Sequence, residues 1–191
     1  MTSLKLAGAA AAALFAIVSY GAPISGWWLT GDNAEDYSLA LDHSQARSGS
    51  TSALLTAVSA TPRGFGALMQ TAQAQAYKGK RIKFSAYVKT VGVTNWSGLW
   101  LRIDGQSGPP GIAFDNMQDR PIVGDTEWQV YSVVLDVPDE ATNIAYGALL
   151  TGPGKVWIDS ISIEAVAKSV PATGKRQPSA PRAPTNLDFE Q

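Results

Sequence analysis

From Gly26 to about Val166, apolar and polar residues alternate with a period of two. The clearest stretch is 81–89 (RIKFSAYVK). Ile82, Phe84, Ala86 and Val88 fall on one side, and Arg81, Lys83, Ser85, Tyr87 and Lys89 on the other. Successive side chains of a pleated strand point to opposite faces, so this pattern predicts a strand with one buried side and one solvent- or ligand-facing side. Leu99, Leu101 and Ile103 against Trp100, Arg102 and Asp104 repeat the scheme. So do 37–42 (YSLALD), 52–58 (SALLTAV), 128–137 (WQVYSVVLDV), 143–150 (NIAYGALL) and 155–164 (KVWIDSISIE). Turn formers separate the runs: Asp104-Gly105, Gly108-Pro109-Pro110-Gly111, Pro138 and Gly152-Pro153-Gly154. About nine or ten short strands at this spacing predict an all-β chain, an antiparallel sandwich or barrel. The one helix candidate is 71–77 (TAQAQAY).

The pattern changes beyond the strands. Residues 22–167 form the expected domain, and 168–184 (KSVPATGKRQPSAPRAP) is proline-rich and basic with little to bury, the composition of an extended, solvated linker. It leads to 185–191 (TNLDFEQ), where Leu187 and Phe189 alternate with Asn186, Asp188 and Glu190 in the manner of a strand. Chain ends ordinarily fray; the alternation predicts that this one docks.

The N-terminus sets the expected compartment. Lys5 precedes an apolar, alanine-rich run over 6–19, followed by Gly21 and Ala22. That is the layout of a secretory signal peptide over 1–21, and the run is shorter than the roughly 20 residues a membrane span needs. A secreted, periplasmic or cell-surface protein without a stable membrane span is expected. Six Trp and six Tyr among 191 residues argue for a packed core. A formal net charge of −1 gives no global field for nucleic acid. With no cysteine, disulfides, thiolate metal sites and a Cys nucleophile are excluded.

Several motifs resemble a known group. Gly26-Trp27, Tyr77-Lys78-Gly79-Lys80 before a strand ending Tyr87-Val88-Lys89, Leu135-Asp136-Val137-Pro138 and Val156-Trp157-Ile158-Asp159 are similar to carbohydrate-binding-module β-jelly rolls. The stretches 96–104 (WSGLWLRID) and 113–121 (AFDNMQDRP) more narrowly resemble a jelly-roll domain also attached to some AraC-like bacterial regulators. The resemblance covers most of 26–166 and implies a jelly-roll, galactose-binding-like sandwich. The residues before Gly26 read as a signal peptide and not as a tri-helical DNA-binding segment, so gene regulation is not carried over as an expectation. Domains of this kind commonly open with a strand like Asn-Leu-Asp-Phe-Glu before the Gly-Trp; here that segment is 186–190, as though the chain were rearranged. It is expected to complete its own sandwich or a neighbour's, and donation to a neighbour would build an oligomer or filament. The resemblance also implies a structural Ca²⁺ held by Asp159 and Glu190.

Catalysis finds little support. The single histidine, His43, sits beside turn residues, no Gly-x-Ser-x-Gly elbow exists, and Asp115 with Asp119 is only a nominal carboxylate pair. Binding is better served. Tyr87, Trp100 and Arg102 lie opposite the apolar rows of their strands and are expected to share a face with Asp115, Asn116, Gln118, Asp119 and Arg120. Aromatic rings stack on the apolar faces of sugars while fork-like polar groups grip hydroxyls. The alternative is that a loop covers Trp100 and that 115–120 only caps turns. The expected function is therefore a non-catalytic module for a glycan or other small polar ligand, with self-assembly through 186–190 as the alternative.

Overall fold

The computed structural model describes residues 24–106 and 111–176. Its strands are β1 (Trp28–Thr30), β2 (Tyr37–Asp42), β3 (Ser52–Ala57), β4 (Phe65–Gln73), β5 (Arg81–Gly105), β6 (Ala113–Asp115), β7 (Ile122–Asp136), β8 (Ala141–Thr151), β9 (Lys155–Val166) and β10 (Lys175–Arg176). Every pairing among them is antiparallel. The expected all-β antiparallel sandwich is therefore the observed architecture.

The long strand β5 organises it. Its first part, from Arg81 to Val91, lies between β9 and β7, while its last part, from Trp96 to Gly105, lies against β8 and β6. Successive register shifts against β7 between Val88 and Ser97 mark where it bends from one layer to the other. Sheet one is thus β2-β3-β9-β5-β7, and sheet two is β1-β4-β8-β5-β6-β10. The alternation that defined 81–89 puts Ile82, Phe84 and Val88 of sheet one into the same core as Leu99, Leu101 and Ile103 of sheet two. All six side chains are essentially inaccessible to solvent. Each contributes on the order of 1.5–3 kcal/mol by leaving water.

Two expectations are corrected. Residues 71–77 are not a helix: Thr71, Ala72 and Gln73 pair with Ala145, Ile144 and Asn143, and only Gln75–Tyr77 makes a 3-10 turn. The β8 edge offers those residues a ladder, which outweighs alanine's weak intrinsic preference for helix. The linker expected over 168–184 is not solvated throughout. Arg81 donates to the carbonyls of Lys168 (2.8 Å) and Val170 (2.6 Å), and Thr173 exchanges hydrogen bonds with the β7 edge at Val134. β10 then pairs with β6. This stretch satisfies edge groups of β6 and β7 that would otherwise be bare. The signal peptide expected over 1–21 and the strand expected over 185–191 lie outside the described residues.

Candidate functional site

The outer face of sheet two holds the site, and its shape follows from strand register. Trp28, Met69, Gly147 and Trp100 form one row across β1, β4, β8 and β5. Beside it, Thr30, Ala67, Leu149 and Gly98 form a second, and Thr71, Ala145, Arg102 and Phe114 a third. Phe65, Thr151 and Trp96 close one end. Small residues thus occupy the middle of the sheet and large ones the rim. The result is a cleft of about 420 Å³ lined by Thr30, Phe65, Ala67, Met69, Trp96, Trp100, Arg102, Phe114, Asn116, Leu149 and Thr151.

Close approach makes the floor. A Cβ on Gly147 would lie 1.8 Å from the Leu68 carbonyl oxygen and 3.3 Å from Trp100 Nε1, so the Trp100 indole lies against the bare Gly147 backbone. Trp100 is accordingly only 6% exposed, packed with Ala67, Ala145 and Leu149. Its Nε1 is buried without a hydrogen-bond partner among the described residues. Phe65, Met69, Trp96 and Phe114 pack around this cluster and remain half-exposed. These, rather than Trp100, present ring and thioether surface to a ligand.

Polar groups are few and held in place. Arg102 donates from Nε and Nη2 to the two carboxylate oxygens of Asp104, at 2.8 and 3.0 Å, and Asp104 also accepts the Gly111 N–H at 2.8 Å. The guanidinium is therefore fixed at the cleft edge with part of its donor set left over. Asn116 and the hydroxyls of Thr30 and Thr151 complete the polar lining. None of the lining residues is an acid or a histidine.

The remaining expected site residues are dispersed. Tyr87 is not in the cleft: it lies on the outer face of sheet one, where the Arg47 guanidinium stacks 4.5 Å from its ring centre. The bend in β5 sends residues before Val91 and after Trp96 to opposite outer faces. Asp115 points away from Phe114 and is buried. Arg120 clamps it through two contacts (2.6 and 3.2 Å) and also reaches Asp119 at 2.8 Å. Burial pushes the Asp115 carboxyl up, but hydrogen bonds from Arg120, Thr173 and the Met117 N–H outweigh it and hold the carboxyl below its ordinary value. Arg120 thus bridges the two acids, Asp115 with its side chain only 6% exposed and Asp119 with its side chain 77% exposed. Gln118 is exposed, and its N–H donates to Asn116 Oδ1. Asp115, Gln118, Asp119 and Arg120 therefore build the turn that carries Asn116 to the cleft and do not line it.

Asp159 lies on sheet one, and its carboxylate accepts the backbone N–H groups of Arg47 (2.7 Å), Ser48 (2.9 Å) and Ser160 (2.5 Å). Glu190, the other expected calcium ligand, is outside the described residues. Among the described residues no group of three or more acidic or histidine side chains is placed to hold a metal ion. Phe65, Met69, Trp96 and Phe114 were not singled out from the sequence. The usable signal was parity: Trp96 is four residues from Trp100 along one strand, hence on the same face.

No family model matches the chain. It is 37% identical over 170 residues to an uncharacterized HTH-type transcriptional regulator, YbfP, of Bacillus subtilis, covering 88% of this chain and 57% of that one. The chain thus spans little more than half the length of that relative. Among solved structures it is similar to the C-terminal family 22 carbohydrate-binding module of Clostridium thermocellum Xyn10B, with 19% identity and a TM-score of 0.53 over 78% of this chain and 89% of that one. The CBM22-1 xylan-binding domain of Paenibacillus barcinonensis Xyn10C matches at 17% identity and TM-score 0.53, over 74% and 86%. The fold is that of the carbohydrate-binding-module β-jelly rolls.

Proposed function

We propose that this chain is a non-catalytic carbohydrate-binding module whose ligand lies in the sheet-two cleft. One observation carries the reading: half-exposed Phe65, Trp96 and Phe114 rim an apolar floor, with a single fixed cation and a few neutral polar groups at the edge. A sugar presents apolar C–H faces and uncharged hydroxyls, and this lining offers rings for the first and Arg102, Asn116, Thr30 and Thr151 for the second. The family 22 modules that share the fold support the same reading. A glycan array followed by calorimetric titration of the hits tests it. Binding is expected to be insensitive to salt, because no ion pair forms, and Trp96→Ala is expected to weaken it at least about tenfold, some 1.4 kcal/mol. A fully folded protein that binds no glycan on the array overturns the proposal.

The likeness to the Bacillus subtilis regulator favours a second reading, in which the same cleft senses a small sugar on behalf of a transcription factor. Chain length separates the two. A polymer-binding module gains affinity as the oligosaccharide lengthens, whereas a sensor of small sugars reaches its full affinity with a mono- or disaccharide. Export belongs to the first reading and is supported by the basic start and apolar run over 1–21. N-terminal sequencing of the cell-free protein should then begin at Ala22.

A further inference from the structure

Sheet one has a half-bare strand inside it. Residues 155–158 of β9 pair with β3 on one side and β5 on the other. From Asp159 to Val166, β5 is the only ladder partner among the described residues. β3 does not continue alongside, because it begins at Ser52 and the preceding loop turns in to place the Arg47 and Ser48 N–H groups on Asp159. A slot therefore opens just past Asp159, with the backbone edge of eight β9 residues along its wall.

The side chains show that the slot reaches the core. A bulge sets Ser85 and Tyr87 opposite Ser162 and Asp159, with Ser160 at φ 52. The extra residue turns Ile161 and Ile163 inward, and both pack against the main core cluster. Directly opposed residues share a face, so Ile163 sits beside Phe84 and Ala165 beside Ile82. Phe84 and Ile82 are 0% exposed. Ile161 and Ile163 nevertheless remain half-exposed and Ala165 exposed. The same inner face is sealed on the β5 side and open on the β9 side. An open edge with apolar residues beneath it is a template for one more strand.

We infer that residues 186–190 of the same molecule add to β9 as that strand. Leu187 and Phe189 alternate with Asn186, Asp188 and Glu190, so one face of the added strand meets Ile161 and Ile163 and the other meets water. The reach is sufficient. β10 ends at Arg176, beside β6 and the β7 edge. The nine residues 177–185 span up to about 30 Å when extended. Crossing β7, β5 and β9 at about 4.8 Å per strand takes roughly 15 Å. Pro178, Pro181 and Pro184 favour an extended tether and cut the entropy lost when its far end docks.

Hydrogen exchange of the full chain tests this, read at the amides of 159–166, alongside light scattering over a range of concentrations. The wild type is expected to be monomeric and slow to exchange there at every concentration. Leu187→Asp with Phe189→Asp should speed exchange at 159–166 by at least about tenfold, while the β5 and β8 amides stay protected. Asp188→Asn, on the outward face, should leave exchange unchanged. Unaltered exchange in the double variant overturns the proposal. So does protection that appears only as oligomers form, since the strand would then come from another molecule. Glycan binding through the cleft is read separately and is not required by either outcome.

Discussion

The two outer faces of the sandwich carry aromatic residues from the same strand, but their surroundings differ, and on sheet two they border a cleft. On sheet one, Tyr87 lies under Arg47, Lys83 pairs with Glu164 at 2.6 Å, and Lys89 with Glu127 at 2.7 Å. Trp157 is also there, its indole N–H donating to Asp42 at 2.7 Å. Long charged side chains lie over that sheet and fill whatever relief its aromatics create. On sheet two, Trp100 has Gly147 beside it and Ala67, Gly98 and Ala145 nearby, and the bulky Phe65, Trp96, Met69 and Phe114 stand around them. An aromatic residue on an outward position therefore does not make a binding face. What makes one is the size of its cross-strand neighbours: small in the middle, large at the rim, and few charges to close over it.

The change that breaks this contrast most severely is Gly147→Ala. The added methyl would meet the Leu68 carbonyl at 1.8 Å, and that atom is backbone, so β4 and β8 must part or the floor must buckle. A loss of about 3 kcal/mol or more in unfolding free energy is expected, above the usual range for overpacking because no side chain can yield. Denaturant melts measure it. The surviving folded protein should also bind glycan poorly, because Trp100 loses its seat.

Acid should act on the other face. The Trp157 indole, with Ser44, holds the Asp42 carboxyl down to about 2, and the Arg81 guanidinium, with Lys168, does the same for Asp136. Both carboxyls sit below their ordinary 3.8, so each stabilises the folded chain above that pH and the contribution is lost as pH falls through about 2. Melting temperature should be flat above pH 5 and drop between pH 4 and 2. Asp42→Asn and Asp136→Asn should each lower the plateau and shrink the drop. Glycan affinity should stay constant from pH 5 to 8, since the cleft lining holds no acid or histidine. An affinity that follows the acid transition while the protein remains folded would show that the two faces are not independent.

How much of this was legible in the chain follows from the same geometry. Period-two alternation identified the strands, because burial on one side is a local property of each strand. It also placed Trp100 and Arg102 on an outer face. It did not show which outer face, since that depends on the bend in β5 between Val91 and Trp96, where the pairing partners change. Tyr87 was consequently assigned to the wrong side. Nor did alternation distinguish floor from rim, because that depends on Gly147 and Ala67 in strands far away in sequence. The polar run 115–120 resembled a binding loop for a related reason: composition does not reveal that Asp115 turns inward to Arg120. Of that run, Asn116 is the residue that lines the cleft. The paired segment 168–176 was hidden because its bonds are mainly backbone bonds to strand edges, which proline-rich composition does not advertise.

The smallest expected effect is the sharpest test of which face binds. Arg47→Ala removes the guanidinium stacked on Tyr87 and leaves the Arg47 N–H on Asp159 in place. An exposed cation–π contact contributes about 0.5–1 kcal/mol, so a drop of that size in unfolding free energy is expected from denaturant melts. The Tyr87 ring becomes an uncovered aromatic platform of the kind that sugar-binding faces use. If aromatic exposure were enough, the variant would gain glycan affinity. Because the ring's neighbours on sheet one are Val130 and Asp159 rather than small residues flanked by a rim, no gain is expected. A measurable increase in affinity would mean that the charged cover of sheet one conceals a second binding face.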